Sequence, residues 1–451
     1  MASVPDRPVA AIILAAGKGT RMKSDTHKVL HPIGGRPMLL HLLASLDDLR
    51  PERRVVVVGD KADQLRAALS GTDVQLAVQE PQLGTGHAVL QAGPGLEGFA
   101  GVALILFGDV PLVRAETMAR LVQAVADGAA IAVLGFRPDR PGAYGRVIAD
   151  ASGRILKMVE AKDATADELA VPLCNAGLMA VDAGRLFGLL GRIGNDNAAG
   201  EYYLPDIVML ANADGDVCRV LEAGADEVLG VNSRSELAAA EAIFQARQRT
   251  ELMAAGVTMI APETVFLSFD TAIGRDCLIE PNVVFGPGVT LADGVTIRAF
   301  SHLEGAAVSS GCEVGPYARL RPGTVLGQGA KIGNFVETKK TVLGPGAKAN
   351  HLTYLGDATI GAKANIGAGT ITCNYDGFGK YRTVIGEGAF IGSNSALVAP
   401  LTIGDRAIVA AGSAVTQDVE ADALAIVRPP QVSKTGWAKR FRALALARKG
   451  N

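Results

Sequence analysis

Two spacings of hydrophobic residues divide the chain. Between Pro8 and about Val231, short aliphatic and β-branched runs at 9–14, 55–58, 102–107, 131–136 and 228–231 alternate with helix-like stretches. Strands that read as near-continuous apolar runs belong to sheets covered on both faces, so this part predicts a mainly parallel α/β domain. Residues 233–255 open with Ser233 as a cap and Glu236 three positions on, then continue in Ala, Leu, Glu, Gln and Arg without Gly or Pro. That predicts one long helix joining two domains. After Gly256 the period changes to six: Ile273, Ile279, Phe285, Leu291, Ile297 and Leu303, then Val308, Val314, Leu320, Leu326 and Ile332, continuing to Val409. A hexapeptide repeat of this length is the mark of a parallel β-helix, each hexad forming one side of a triangular coil of about 18 residues. An ordinary β-sandwich predicts alternation with period two instead. The expected domains are therefore 1–232, a linker helix at 233–255, and a β-helix at 256–451 that ends in a basic tail.

Composition fits this division. The chain has 54 glycines but only 5% aromatic residues, as expected where glycine turns corners and small aliphatics stack inside a solenoid. A net charge of −2, from 44 basic and 46 acidic residues, argues against a nucleic-acid-binding surface. With 49% hydrophobic and 20% charged residues, disorder is excluded as the general state. Five scattered cysteines without a CxxC pair read as reduced thiols of the cytosol. Glycines and charges break the N-terminal apolar run before a signal-peptide cleavage region, and no run approaches the roughly 18 residues of a membrane span. The tail from Lys434 to Lys449 holds six cations and no acid.

The first candidate site follows the strand at 9–14, which runs into AAGKGTRM, with Lys28 seven residues beyond Arg21. In an open parallel sheet, ligands bind beyond the carboxyl ends of the strands. Gly17 and Gly19 admit phosphate oxygens to the backbone N–H groups, and Arg21 and Lys28 add positive charge. Asp109 closes the strand at 102–107 and Asn232 the run at 228–231, so both are candidate oxygen ligands for a hard cation such as Mg²⁺.

The second candidate site comes from the repeat register. One face is assigned to Leu320, Thr338, Leu355, Ile385 and Ile403; Arg321 and Lys339, 18 residues apart, then stack on successive coils at about 4.8 Å. Stacked like charges repel unless an anion sits beside them. His351 and Tyr354 fall at the same corner, and the interruption at 372–384 is expected to leave there too, bringing in Asn374, Tyr375 and Lys380. A histidine is the side chain suited to take a proton near neutral pH. Ser393 and Ala411, also 18 apart, form a strip of small residues.

LAAGKGTRM, QLGTGHA, FGDVPL, NAAGEYYLPD, NHLTYLGD, NIGAGTITCNYDG and RPPQ together resemble the bacterial bifunctional GlmU family, over nearly the whole chain. The resemblance implies a Rossmann-like nucleotidyltransferase domain and a left-handed β-helix that trimerises. It implies acetylation of glucosamine 1-phosphate by acetyl-CoA, then Mg²⁺-dependent coupling of the product to UTP, giving UDP-N-acetylglucosamine for cell-wall synthesis in the cytoplasm. The partners implied are small molecules, without nucleic acid or membrane.

By the same resemblance, Leu14, Ala15, Ala16, Gly17, Gln79, Gly84, Thr85, Phe107, Gly108 and Asp109 contact the nucleotide, and Lys28 a phosphate. Gly145, Glu160 and Asn175 contact the sugar, Asp109 and Asn232 bind the metal, and Arg21 stabilises the transition state. On the β-helix, His351 is the base and Arg321, Lys339, Tyr354 and Lys380 hold the sugar phosphate. Asn365 and Asn374 place the amine and sugar, and the Tyr375 backbone faces the developing oxyanion. Asn374 and Tyr375 also belong to the acetyl-CoA side, which Ala368, Ser393, Ala411 and Arg428 line. Two positions depart from the family pattern: Phe107 stands where Tyr is common and Ala176 where Thr is common. Two other readings compete: a single-activity sugar nucleotidyltransferase with a structural or regulatory β-helix, and a non-enzymatic trimeric scaffold.

Overall fold

The computed structural model describes residues 7–449 and forms two compact units, 1–248 and 249–451. The first six residues of the segment weighed above as a signal peptide lie outside the described residues. The first unit is built on strands β1 (Val9–Ala15), β2 (Arg53–Val58), β3 (Gln75–Val78), β4 (Val102–Phe107), β5 (Ile131–Phe136), β6 (Arg146–Ala149), β7 (Ile155–Val159), β8 (Cys174–Asp182) and β9 (Cys218–Glu222). The main sheet runs β9-β5-β8-β4-β1-β2-β3, with β6 and β7 added as a hairpin beside β8. The pairs of β1 with β2 and β4, of β2 with β3 and of β5 with β9 are parallel, while β8 runs antiparallel to β4 and β5. The sheet is thus mixed, with its parallel half carrying the phosphate loop. Along β1, Val9, Ala11, Ile13 and Ala15 enter one apolar cluster and Ala10, Ile12 and Leu14 another. Both faces are covered, which is why the strand reads as an unbroken apolar run.

Residues 228–231, expected as a strand, form none; the strand is instead Cys218–Glu222. The 228–231 run is held as loop by Val231 N–H donating to the Asp109 carbonyl (2.8 Å), which carries Asn232 to the β4 edge. Two helices that matter below are α1 (Thr85–Leu90) and the short α2 (Ala166–Leu169). Helix α3 (Arg234–Ala254) begins at Ser233, whose hydroxyl accepts from the Glu236 N–H while the Glu236 carboxylate accepts from the Asn232 N–H. The boundary between the two units falls inside α3.

The second unit is a parallel β-helix. Its described strands form three parallel sheets of ten, eight and eight, visited in turn by the chain and called faces 1, 2 and 3. The inward residues of all three merge into one apolar cluster from Val257 to Val415. One part of the sequence register needs correction. Leu320, Thr338 and Leu355 do share face 2, but Ile385 and Ile403 lie on face 3, in strands Thr383–Ile385 and Leu401–Ile403. The face 2 position that follows Leu355 is Thr372, in strand Ile371–Cys373. Thr372 is fully buried, and its hydroxyl accepts from the Gly356 N–H at 2.8 Å, so a hydrogen-bonded threonine fills a slot where counting aliphatics alone skips a face. The loop at 374–382 therefore leaves between faces 2 and 3, not at the His351 corner between faces 1 and 2.

All five cysteines are free thiols and four are buried. Among the described residues no helix is long and apolar enough to cross a membrane. The tail helix α4 (Trp437–Lys449) has no buried residue.

Candidate active sites

At the carboxyl end of β1, residues 14–17 line a cavity of about 500 Å³ together with Lys28, Gln79, Gly84, Thr85, Phe107 and Asp109. At Gly17 an added Cβ would meet nothing within 4 Å, so the backbone is open to a ligand there. Gly84 has φ +107°, and a Cβ would stand 2.7 Å from the Tyr202 carbonyl oxygen, so only glycine lets the 201–204 segment dock on α1. Gln79 is buried, its amide donating to the Gly84 carbonyl (2.9 Å). The Thr85 hydroxyl accepts from the Leu204 N–H (3.0 Å). Gly108 is buried behind the rim, and Arg21 sits in an exposed turn outside the cavity lining. The cavity also recruits Lys18, His27, Gln82 and Glu201, which sequence reasoning missed. Of these, Gln82 had a signal in QLGTGHA, and its amide donates to the Ala16 carbonyl at 2.6 Å. His27 is buried, and that burial lowers its pKa below the usual imidazole range, with Lys28 next in effect.

Lys28, Asp109 and Asn232 meet. The Lys28 ammonium forms an ion pair with the Asp109 carboxylate and donates to Asn232 Oδ1 (2.9 Å), with both charged side chains mostly buried. One carboxylate and one amide oxygen thus already share a cation.

A second cavity, about 390 Å³, holds the three sugar candidates Gly145, Glu160 and Asn175. The Asn175 N–H donates to the Gly145 carbonyl (2.9 Å), and a Cβ on Gly145 would lie 3.3 Å from Glu160 Oε1. Burial pushes the Glu160 carboxyl above the usual carboxylate range, and the negative charges of Asp206 and Asp163 push it further. Asn175 Oδ1 accepts from the Gly177 N–H (2.8 Å), which leaves its amide donors for a ligand. At the two departing positions, Phe107 lies against Gly177, where a Cβ would be 3.0 Å from its ring, and Ala176 offers no hydroxyl.

On the β-helix, Arg321, Lys339 and Gly356 follow one another in register along face 2. Arg321 is paired with Glu337 (2.8 Å), while hydrogen bonding to Lys380, then the charges of Lys380 and Arg321, lower the pKa of Lys339. Lys380 therefore joins the Arg321 and Lys339 column. A Cβ on Gly356 would stand 2.4 Å from the Tyr354 hydroxyl oxygen and 2.8 Å from Asn374 Nδ2, so both side chains reach over that glycine into the cation column. Asn374 also donates to the Asp357 carboxylate, and Tyr375 bridges to Lys380 across the loop.

His351 ends a face 1 strand, at the corner that leads into face 2. Its Nδ1 donates to Asn334 Oδ1 (2.7 Å), which fixes the tautomer with a free lone pair on Nε2. Asn334 was missed by sequence reasoning, although it stands one coil before His351. Below His351 the same corner continues through Ala368, Ser393 and Ala411, joined by the Gly369 N–H to the His351 carbonyl, Asn394 N–H to Ala368, and Gly412 N–H to Ser393. Arg428 closes this strip, its Cδ lying 3.8 Å from where a Gly412 Cβ would be. Asn365 lies on face 1, outward beside Lys348 and Phe390.

A nucleotide-loop α/β unit followed by a hexapeptide β-helix with a histidine and a cation column defines a class of two-site transferases. Residues 11–172 match the MobA-like NTP transferase domain, 270–305 the bacterial transferase hexapeptide family (six repeats), and 382–417 the hexapeptide repeat of succinyl-transferase. The parallel coils in these repeat regions are consistent with a left-handed β-helix. The chain is 67% identical over 438 residues to the bifunctional protein GlmU of Sphingopyxis alaskensis, covering 97% of each. It is 64% identical over 439 residues to that of Rhizorhabdus wittichii, again 97% of each. It is 55% identical over 440 residues to that of Zymomonas mobilis, covering 97% of this chain and 98% of the relative. The chain belongs to the bifunctional GlmU family.

Proposed function

We propose that this chain makes UDP-N-acetylglucosamine in two steps, with residues 256–451 acetylating glucosamine 1-phosphate and residues 1–232 transferring a uridylyl group, joined by the helix at 233–255. The observation that carries this reading is the identity to bifunctional relatives over nearly the whole length. In the first step Arg321, Lys339, Tyr354 and Lys380 bind the sugar phosphate, and Asn365 and Asn374 place the amine. His351 Nε2 takes a proton as the amine nitrogen attacks the acetyl carbonyl of acetyl-CoA. The C–N bond forms, the Tyr375 backbone faces the oxyanion, and the C–S bond breaks, the departing sulfur taking the proton held on His351 to leave as CoA thiol. The strip of Ala368, Ser393 and Ala411, ending at Arg428, accommodates the CoA chain.

In the second step, UTP lies in the cavity of residues 14–17, Gln79, Gly84, Thr85 and 107–109, and the sugar against Gly145, Glu160 and Asn175. The sugar phosphate oxygen attacks the α-phosphorus, and the bond to the β-phosphate oxygen breaks to release pyrophosphate. Lys28 and Arg21 stabilise the charge that develops. Asp109 and Asn232 fit Mg²⁺, since both oxygens already converge on one cation, and Mg²⁺ accepts one or two protein oxygens with phosphates and water completing its shell. When bound, Mg²⁺ neutralises triphosphate oxygens.

We place the protein in the cytoplasm as a homotrimer. Supporting the trimer, Phe300, Tyr317, Phe335 and Leu352 form an exposed apolar ladder on successive coils, with Phe300 and Tyr317 stacked at 4.9 Å and Tyr317 and Phe335 at 5.2 Å. The test is a paired assay: CoA thiol from glucosamine 1-phosphate plus acetyl-CoA, and pyrophosphate from UTP plus N-acetylglucosamine 1-phosphate with Mg²⁺. Absence of thiol release would reduce the protein to a single-activity nucleotidyltransferase; absence of both would leave a scaffold.

A further inference from the structure

Arg146 opens β6 at the back of the sugar cavity and is only 3% exposed, yet no carboxylate among the described residues pairs with it. Its guanidinium is spread over three backbone carbonyls instead. Nε donates to Leu169 of α2 (3.3 Å), Nη2 to Gly142 (3.4 Å) and Nη1 to Tyr144. Burying a cation without a counter-charge is costly, and a methionine or leucine would fill such a position more cheaply. The guanidinium is therefore held for its geometry, since its planar fork alone can reach three acceptors that lie in different directions.

Two of those acceptors, Gly142 and Tyr144, belong to the loop that ends in Gly145, and the third, Leu169, closes α2. The Gly145 carbonyl receives the Asn175 N–H, and the Glu160 carboxylate lies against the Gly145 backbone, so displacing this loop displaces all three sugar candidates together. The loop also carries Tyr144, whose ring packs edge-on against Phe136 (4.9 Å, 90°). Burial raises the Tyr144 phenol pKa, with the charge of Glu236 next in effect.

We propose that Arg146 is a positioning residue for the sugar phosphate: it fixes the 142–145 loop so that Gly145, Glu160 and Asn175 present one rigid surface to the sugar. The proposal rests on the reading of this cavity as the sugar site. Uridylyl transfer is to be measured for Arg146→Met and Arg146→Lys with both substrates varied, and acetyl transfer by the same preparations serves as a control of intact protein. Arg146→Met is expected to raise KM for N-acetylglucosamine 1-phosphate about tenfold to a hundredfold, leaving KM for UTP within about twofold and acetyl transfer unchanged. Arg146→Lys, which keeps the charge but loses the fork, is expected to fall on the side of Met. An equal rise in both KM values, or full function in Arg146→Lys, would overturn the proposal. A variant that loses all uridylyl transfer would be read by equilibrium binding of UTP: retained UTP binding with lost sugar binding supports the positioning role, and loss of both refutes it. If wild type itself shows no saturable dependence on N-acetylglucosamine 1-phosphate, the sugar-site reading fails first.

Discussion

At the scale of single residues, the most informative contact is the one between Lys28, Asp109 and Asn232. The ammonium occupies the two oxygens proposed above as metal ligands, so lysine and metal are expected to compete for them. Lys28→Met is expected to lower kcat/KM for uridylyl transfer by about a hundredfold, through loss of charge at the phosphates. The same variant should bind Mn²⁺ more tightly than wild type without nucleotide, as read by electron paramagnetic resonance. Weaker Mn²⁺ binding in Lys28→Met would show that no such competition exists. On the β-helix, His351→Ala should reduce thiol release by about a hundredfold to ten-thousandfold with pyrophosphate release unchanged. Asn334→Ala, which frees the tautomer, should cost about tenfold or more in thiol release.

Glu160 adds a pH dependence. Burial raises its carboxyl in the folded state, so folding favours the protonated form relative to the unfolded chain. Its contribution to stability is full below the usual carboxylate range and is lost as pH rises through its folded value. Glu160→Gln should therefore raise the Tm of the first unit by about 2 °C at pH 7, and the gain should shrink on acidification. Its KM for the sugar phosphate should rise in exchange. A Tm gain equal at pH 7 and pH 4 would rule out this account.

At the scale of elements, the decisive feature of the second site is a column on face 2 that only glycine can complete. A Cβ at position 356 would collide with the Tyr354 hydroxyl and with Asn374. Gly356→Ala should raise KM for glucosamine 1-phosphate at least about tenfold while uridylyl transfer persists, and unaltered acetyl transfer would remove Tyr354 and Asn374 from the site. The stacking of Arg321 on Lys339 and of Ser393 on Ala411 was legible from their 18-residue spacing, because each coil restores the register. The corner from which the loop leaves was not, because Thr372 satisfies its hydroxyl inside the prism and occupies an aliphatic position without being one. In the first unit β1 and β4 were legible as apolar runs, whereas β9 alternates buried Cys218 with exposed Arg219 at the sheet edge and carries a weaker signal. Arg146 and Asn334 were illegible for a different reason: each acts through a partner distant in sequence or a carbonyl, and no local motif encodes that.

At the scale of the whole molecule, the open question is what covers the aromatic ladder of the β-helix. The corner shared by Asn282, Phe300, Tyr317, Phe335, Leu352, Gly369, Asn394 and Gly412 has positive φ throughout, from +51° to +76°. Asn and Gly adopt that conformation readily, whereas a bulky side chain there costs on the order of 1 kcal/mol. Four consecutive coils nonetheless carry Phe, Tyr, Phe and Leu, all exposed, and the polar or Gly positions return on either side. Strained and exposed apolar residues confined to one stretch, ending beside His351, are best accounted for by contact with further copies of the chain. The triple variant Phe300→Ser, Tyr317→Ser, Phe335→Ser should therefore sediment at a lower mass than wild type. It should lose acetyl transfer, because the ladder adjoins His351, and keep uridylyl transfer, whose residues lie in the other unit. An unchanged sedimentation mass would exclude the ladder as the subunit seam, and acetyl transfer retained by a dissociated chain would show that each β-helix carries a complete site by itself.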